Sequence, residues 1–299
     1  MIDAVIQGVL LGGYYAILAA GLSLMFGVMR FINLAHGDLA ILGAYAVLAG
    51  VQFAHLPLWL MVLAMLPAMA LLGWLLQKAL FARALRSGIL LPLLITFGLG
   101  AMVQNGLFGV FGSDTRSLGN HLGDLSWASW QLPGGLSVGV LPVATFAIAV
   151  LVLAALHAVL RHTRLGRAIR ATSIDAEAAQ LSGVDAARVH RAAAAIAVAL
   201  AGLAGAALAA RALVDPYAGP AQLIYAFEAV VIGGIGSLWG TLVGGMVLGI
   251  AQSVGAQVSP QGFQLAGHLV FLAVLGVRLV CTHRTERGLA APWWRRGRA

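Results

Sequence analysis

The stretch RFINLAHGDLAILG, residues 30–43, gathers Arg30, Asn33, His36 and Asp38 within nine positions of a chain otherwise dominated by apolar side chains. Together they supply a fixed cation, an amide, an imidazole and a carboxylate, a set suited to hydrogen-bonding a polar solute or to exchanging a proton. Asn33 and Asp38 are the nearest hydrogen-bond partners for His36, and Gly37 lets the backbone bend between them. A second candidate is Glu228, in YAFEAVVIGGIGS, a carboxylate set inside a late apolar run.

The surroundings of these groups follow from composition. The 299 residues are 61% hydrophobic and 9% charged, with a mean hydropathy of +0.95, where a soluble domain carries roughly 25% charged residues. The apolar runs are long and continuous, unlike the alternating segments of about ten residues in a barrel. The expected fold is therefore an all-α polytopic membrane protein. Apolar spans are read at 4–29, 37–53, 57–77, 88–111, 137–160, 189–210, 221–236, 238–258 and 262–280, which gives eight or nine transmembrane helices. Gly233, Gly234 and Gly236 interrupt the region 221–258, so a broken or re-entrant segment is equally compatible there. The expected organisation is one membrane domain over 1–290, including a polar loop at 161–190, followed by a basic tail at 291–299.

Lysine and arginine near span ends are retained on the cytoplasmic side. Arg30 follows the first span; Lys78, Arg83 and Arg86 the third; Arg161, Arg164, Arg167, Arg170, Arg188 and Arg191 fill the polar loop; and Arg278, Arg284, Arg287, Arg295, Arg296 and Arg298 close the chain. Only Arg116 and Arg211 fall on the other side, so the N-terminus is expected outside and the C-terminus in the cytoplasm. This partition also accounts for the basic balance without nucleic acid as a partner. The tail, with Trp293 and Trp294 among its arginines, reads as an anchor in the lipid headgroups. A cleavable signal peptide is not expected, because Asp3 stands where a basic leader would begin. Cys281 is the single cysteine, the histidines are scattered, and no metal site is expected. The outer loop 112–135, with Trp127 and Trp130, is polar and turn-rich.

In this setting three readings of the polar stretch stand. Asn33, His36, Gly37 and Asp38 form a broken element on a translocation pathway or its gate; or they form a surface connection, with Arg30 at the interface and His36 and Asp38 capping the next helix; or they relay protons. Glu228, Gly233, Gly234 and Gly236 are further pathway candidates, with an interfacial position near Tyr225 as the alternative for Glu228. Gly240, Gly244, Gly245 and Gly249 make small-xxx-small patterns that suit close helix packing, within the chain or against a second subunit.

The loop RHTRLGRAIRATSIDAEAAQLSGVDAARVH contains AEAAQLSG, with Asp175 as a helix N-cap and Gly183 as its stop. Glu177, Ala178, Ala179 and Gly183 read either as an ordinary alanine-rich helix or as the EAA loop with which permeases of ABC importers dock on their ATPases. Three segments taken together, 12–46, 164–185 and 226–252, resemble in order and spacing the branched-chain amino-acid ABC transporter permease family, on the side of the LivH-like subunit. Ile32, Asn33, Ala35, His36, Gly37 and Asp38 match that family's INxAHG[DE] segment. The resemblance implies a bacterial inner-membrane subunit working with a LivM-like second permease, two cytoplasmic ATPases and an external solute-binding protein. It implies no catalysis and no cofactor in this chain, with ATP and magnesium held by the ATPases; the sole lysine, Lys78, lies outside any Walker A loop. The implied cargo is a branched-chain or related amino acid, with urea or short amides as alternatives. A proton-coupled secondary transporter using His36, Asp38 and Glu228, and a membrane scaffold, are the readings from other classes.

Overall fold

A computed structural model describes residues 1–85, 88, 90–132 and 136–289, with the side chains at 132, 136 and 281–289 excepted. Arg86 and the tail 291–299 with Trp293 and Trp294 lie outside the described residues, as do the side chains of Cys281, Arg284 and Arg287. The chain runs α1 (Ile2–Met29), α2 (His36–Phe53), α3 (Leu58–Ala84), α4 (Leu90–Phe111), a hairpin of β1 (Ser129–Leu132) and β2 (Leu136–Gly139), α5 (Val140–His162), α6 (Arg164–Ile174), α7 (Ala176–Leu181), α8 (Ala186–Arg211), α9 (Gly219–Gly233), α10 (Leu238–Val258) and α11 (Gly262–Leu289).

The apolar runs become helices because backbone groups in hydrocarbon must be satisfied within the segment. Eight of the helices are long and apolar enough to cross a bilayer: α1 to α5, α8, α10 and the 262–280 part of α11. The ninth candidate is shorter. α9 has 15 residues, or about 22 Å of rise, against a hydrocarbon core of about 30 Å. It stops at Gly234 and Gly236, whose φ of 97° and 82° place them in a region that costs other residues a steric penalty. The region 221–258 is thus a helix too short for a full span, a glycine turn and one full span. The span expected from residue 137 begins instead at Val140, because β2 pairs antiparallel with β1, Trp130 opposite Val138.

Burial orders the bundle. In α1, 83% of the most apolar window is buried, and in α2 and α8 67%, whereas the figure is 17% for α3, α4 and α5 and 6% for α11. So α1 is the axis, flanked by α5, α8, α9 and α10, and the peripheral faces turn Leu94, Leu151 and Leu269 outward to an apolar solvent that tolerates them.

Close approach of α1 and α10 depends on glycine. A Cβ on Gly8 would stand 2.5 Å from the Ile250 Cα, and one on Gly12 2.5 Å from the Met246 Cα. Gly245 and Gly249 face the carbonyls of Gly12 and Gly8 in return, while Gly240 and Gly244 pack on Gly233 and Ala229 of α9. The small-residue face at 240–249 is therefore occupied inside the chain.

Replacing Gly12 by leucine should force this seam apart and destabilise the protein by about 1–3 kcal/mol or more. Thermal unfolding in detergent should show a lower midpoint for Gly12→Leu, and an unchanged one for Gly106→Leu, where no atom lies within 4 Å of an added Cβ.

Candidate functional site

The polar stretch begins where α1 ends. Arg30 caps α1 in the left-handed conformation, φ 55° and ψ 30°, its N–H bonded to the Phe26 carbonyl. From there the chain leaves the helix and returns alongside α1 into the bundle. Asn33 Nδ2 lies 3.8 Å from the Met25 Sδ, Asn33 Oδ1 accepts the Ala35 N–H at 3.1 Å, and the Leu18 carbonyl accepts from His36 Nε2 at 2.9 Å. Leu18 is eleven residues before Met29, about 16 Å deeper along the helix. The segment is a broken element inside the bundle, with Asn33 and His36 fully buried. The side chain of His36 bonds neither Asn33 nor Asp38; only its backbone N–H reaches the Asn33 carbonyl.

Because of this return, α2 starts deep in the protein and not at its surface. Asp38, in the first turn of α2, is 4% exposed and accepts a 2.9 Å hydrogen bond on Oδ1 from Gln104 Nε2 of α4. Gly219, the first residue of α9, lies against the Asp38 carboxylate and the Gly37 backbone, and Gly100 of α4 lies against its Oδ2. Two helix N-termini, those of α2 and α9, therefore meet around one carboxylate. Their free N–H groups and partial positive charge favour an anion at that point, which explains how Asp38 is held there with one side-chain donor.

A second polar layer joins α1, α9, α10 and α11. Tyr14 donates to Gln222 at 2.6 Å, Tyr15 donates to Gln252 at 2.5 Å, and His268 Nδ1 meets Glu228 Oε1 at 2.5 Å. Glu228 is 2% exposed and its Oε2 has no protein partner. The carboxylate is enclosed by protein. Gly233 packs on Gly240, and the Gly236 N–H bonds Ser23 Oγ of α1 at 3.1 Å, so the turn after α9 is fastened to the axis of the bundle.

Glu177, Ala178, Ala179 and Gly183 lie elsewhere, at the end of the bundle that carries α6 and α7. Asp175 Oδ1 accepts the N–H groups of Glu177 and Ala178 at 2.9 and 3.0 Å, and Gly183, φ 84°, turns the chain toward α8. Ala179 faces inward, while Ile174 is 78% and Leu181 92% exposed, an unusual display of large apolar side chains at a polar end. The predicted residues thus fall into three places: the α2–α9 junction, the Glu228 layer and the α7 surface. Gln104 and His268 were missed, since their partners lie on other helices far away in sequence. Their polarity within apolar spans was the available signal. Among the described residues no three histidine, cysteine, aspartate or glutamate side chains cluster to hold a metal.

Comparison with known proteins agrees along most of the chain. Residues 4–282 match the family model described as the permease component of a branched-chain amino acid transport system. The chain is 29% identical over 257 residues to the high-affinity branched-chain amino acid transport system permease protein LivH of Escherichia coli K12, covering 83% of each chain. It is 30% identical over 268 residues to the corresponding protein BraD of Pseudomonas aeruginosa, covering 86% of this chain and 87% of that one. No solved structure gives a significant match.

Removing the imidazole from the Glu228 layer leaves a buried carboxylate without its donor, a loss of about 1–3 kcal/mol. The melting midpoint in detergent should fall for His268→Ala and recover in part when Glu228→Gln is added. Equal midpoints for His268→Ala and the parent protein would show that the pair carries no stability.

Proposed function

Because this chain belongs to the family of permease components of branched-chain amino acid transport systems, we propose that it is a membrane subunit of an ATP-driven importer in the bacterial inner membrane. It works beside a second permease subunit, two cytoplasmic ATPases and an external solute-binding protein. The whole of 1–290 serves as the permease domain, and 161–190 is its coupling loop. In this reading the N-terminus lies outside, and the α6–α7 end and the C-terminal tail lie in the cytoplasm.

The observation that carries the reading is α7. A short helix, rigidly capped by Asp175 and stopped by Gly183, holds Leu181 exposed, and Ile174 at the end of α6 just before it is exposed as well, at the end of the bundle where the basic residues collect. Such exposed apolar groups suit a protein partner, and an ATPase resting there would move α6 and α7 as one piece. Transport then consists of two arrangements of the bundle with different access, biased by nucleotide in the partner. Asn33, His36, Gly37 and Asp38, together with Gly233, Gly234 and Gly236, lie where helices are discontinuous, and they form the pathway or its gate. The carboxylate of Asp38 suits the ammonium end of an amino-acid cargo, and leucine, isoleucine or valine is the expected class. His36, Asp38 and Glu228 each bond to a different partner and not to one another, which supports nucleotide drive over a proton relay through these three.

The test is uptake by proteoliposomes holding the complex purified through this chain and its binding protein, with labelled leucine competed by valine, phenylalanine and urea, with and without internal ATP. Leucine uptake that needs ATP and is blocked by valine is the expected result; uptake by the lone chain under a proton gradient would overturn the reading. In the same assay Gly183→Arg should abolish uptake while membrane insertion persists, since a side chain at this left-handed position strains the stop and projects into the docking face. Normal ATP-driven uptake by that variant would remove α7 from the mechanism.

A further inference from the structure

Arg30 holds a position that the turn itself does not require. Its backbone is left-handed, a conformation that glycine adopts at lower cost, yet the residue carries a long cationic side chain. That side chain crosses a cleft of about 390 Å³ between the end of α1 and α7. Its Nη2 donates to the Ser173 carbonyl at 3.4 Å and the Ile174 carbonyl at 3.2 Å. Both are terminal carbonyls of α6, which have no partner inside their helix, and a cation is favoured there by the helix dipole. The other end of α6 is fixed by Thr163, whose Oγ1 accepts the Gly166 N–H at 3.0 Å, and by Arg170, which donates to the Leu160 carbonyl of α5.

On the far side of Arg30 the connection has little slack. Only six peptide steps join Arg30 to His36, a reach of at most about 20 Å, and the last three are folded into a turn in which the His36 N–H bonds the Asn33 carbonyl at 3.1 Å. The residues between are also pinned, Asn33 by Met25 and His36 by Leu18. A displacement of Arg30 is therefore passed on to His36, and with it to the start of α2 and the Asp38 carboxylate between Gly100 and Gly219.

We infer that Arg30 is a positioning residue that transmits movement of the α6–α7 joint to the junction of α2 and α9. The inference rests on the importer reading above. It does not act on cargo or nucleotide; it ties the element on which an ATPase would push to the element that would open or close the pathway. The joint is built so that each part has a separate role: α6 is the lever, Arg30 the link and residues 31–35 the tether.

The experiment is hydrogen–deuterium exchange on the complex purified through this chain, in lipid nanodiscs, with and without magnesium-ATP and vanadate. In the parent complex, exchange at 175–183 and at 31–39 should both change on trapping. Arg30→Gly preserves the turn and deletes the link, so the response at 175–183 should persist while that at 31–39 is lost, and leucine moved per ATP hydrolysed should fall. Should the glycine variant not assemble, Arg30→Gln, which is neutral and too short to reach both carbonyls, serves in its place with the same expectation. A parent-like response at 31–39 in the variant, or a parent complex that responds at 175–183 alone, would overturn the role of Arg30. A purified complex that contains no ATPase would overturn the importer reading instead.

Discussion

Backbone that leaves a helix inside a bilayer must find its hydrogen-bond partners within the protein, because no water is there to supply them. The return of residues 31–35 along α1 meets this condition: Asn33 closes its own turn onto Ala35, and His36 fastens the start of α2 to Leu18. The rest of the interior depends on it. A helix that starts deep leaves its free N–H groups deep, and α9 brings a second set to the same place. Asp38 answers both. Without the return, α2 would begin at the surface, Asp38 would be solvated, and α4 and α9 would have no reason to converge.

Two kinds of helix follow from that arrangement. α1, α2, α8 and α10 pack through backbone, with glycine where chains approach, and form a dense centre. The helices around them, α3, α4, α5 and α11, turn large apolar side chains outward. Lipid gives no hydrophobic drive for burying those faces, so the stable centre and the exposed periphery coexist without conflict.

Much of this was legible in the chain. Long apolar runs specify helices because hydrocarbon permits little else, and Asp175 and Gly183 mark the limits of α7 through purely local chemistry. The glycines at 233, 234 and 236 signalled the interruption after α9 for the same reason. What could not be read were pairings: Gln104 with Asp38 and His268 with Glu228 join helices whose spacing in sequence carries no period. The depth of His36 was equally hidden, because an Arg–Asn–His–Asp run looks alike at the surface and in the interior until the carbonyl of Leu18 is known to meet it. The hairpin at 129–139 escaped notice since its strands have four residues each, too few to display alternation.

The glycine seam also has a consequence for biosynthesis. α1 is made well before the helix that seals it, yet among the described spans it is the most enclosed: Tyr15 and its partner Gln252 on α10 are 237 positions apart. Until α10 arrives, the groove beside Gly8 and Gly12 faces lipid or whatever protein attends insertion. Closure of this chain is thus a late event around an early core, and a nascent chain that ends before residue 245 lacks the glycines that pack on Gly8 and Gly12.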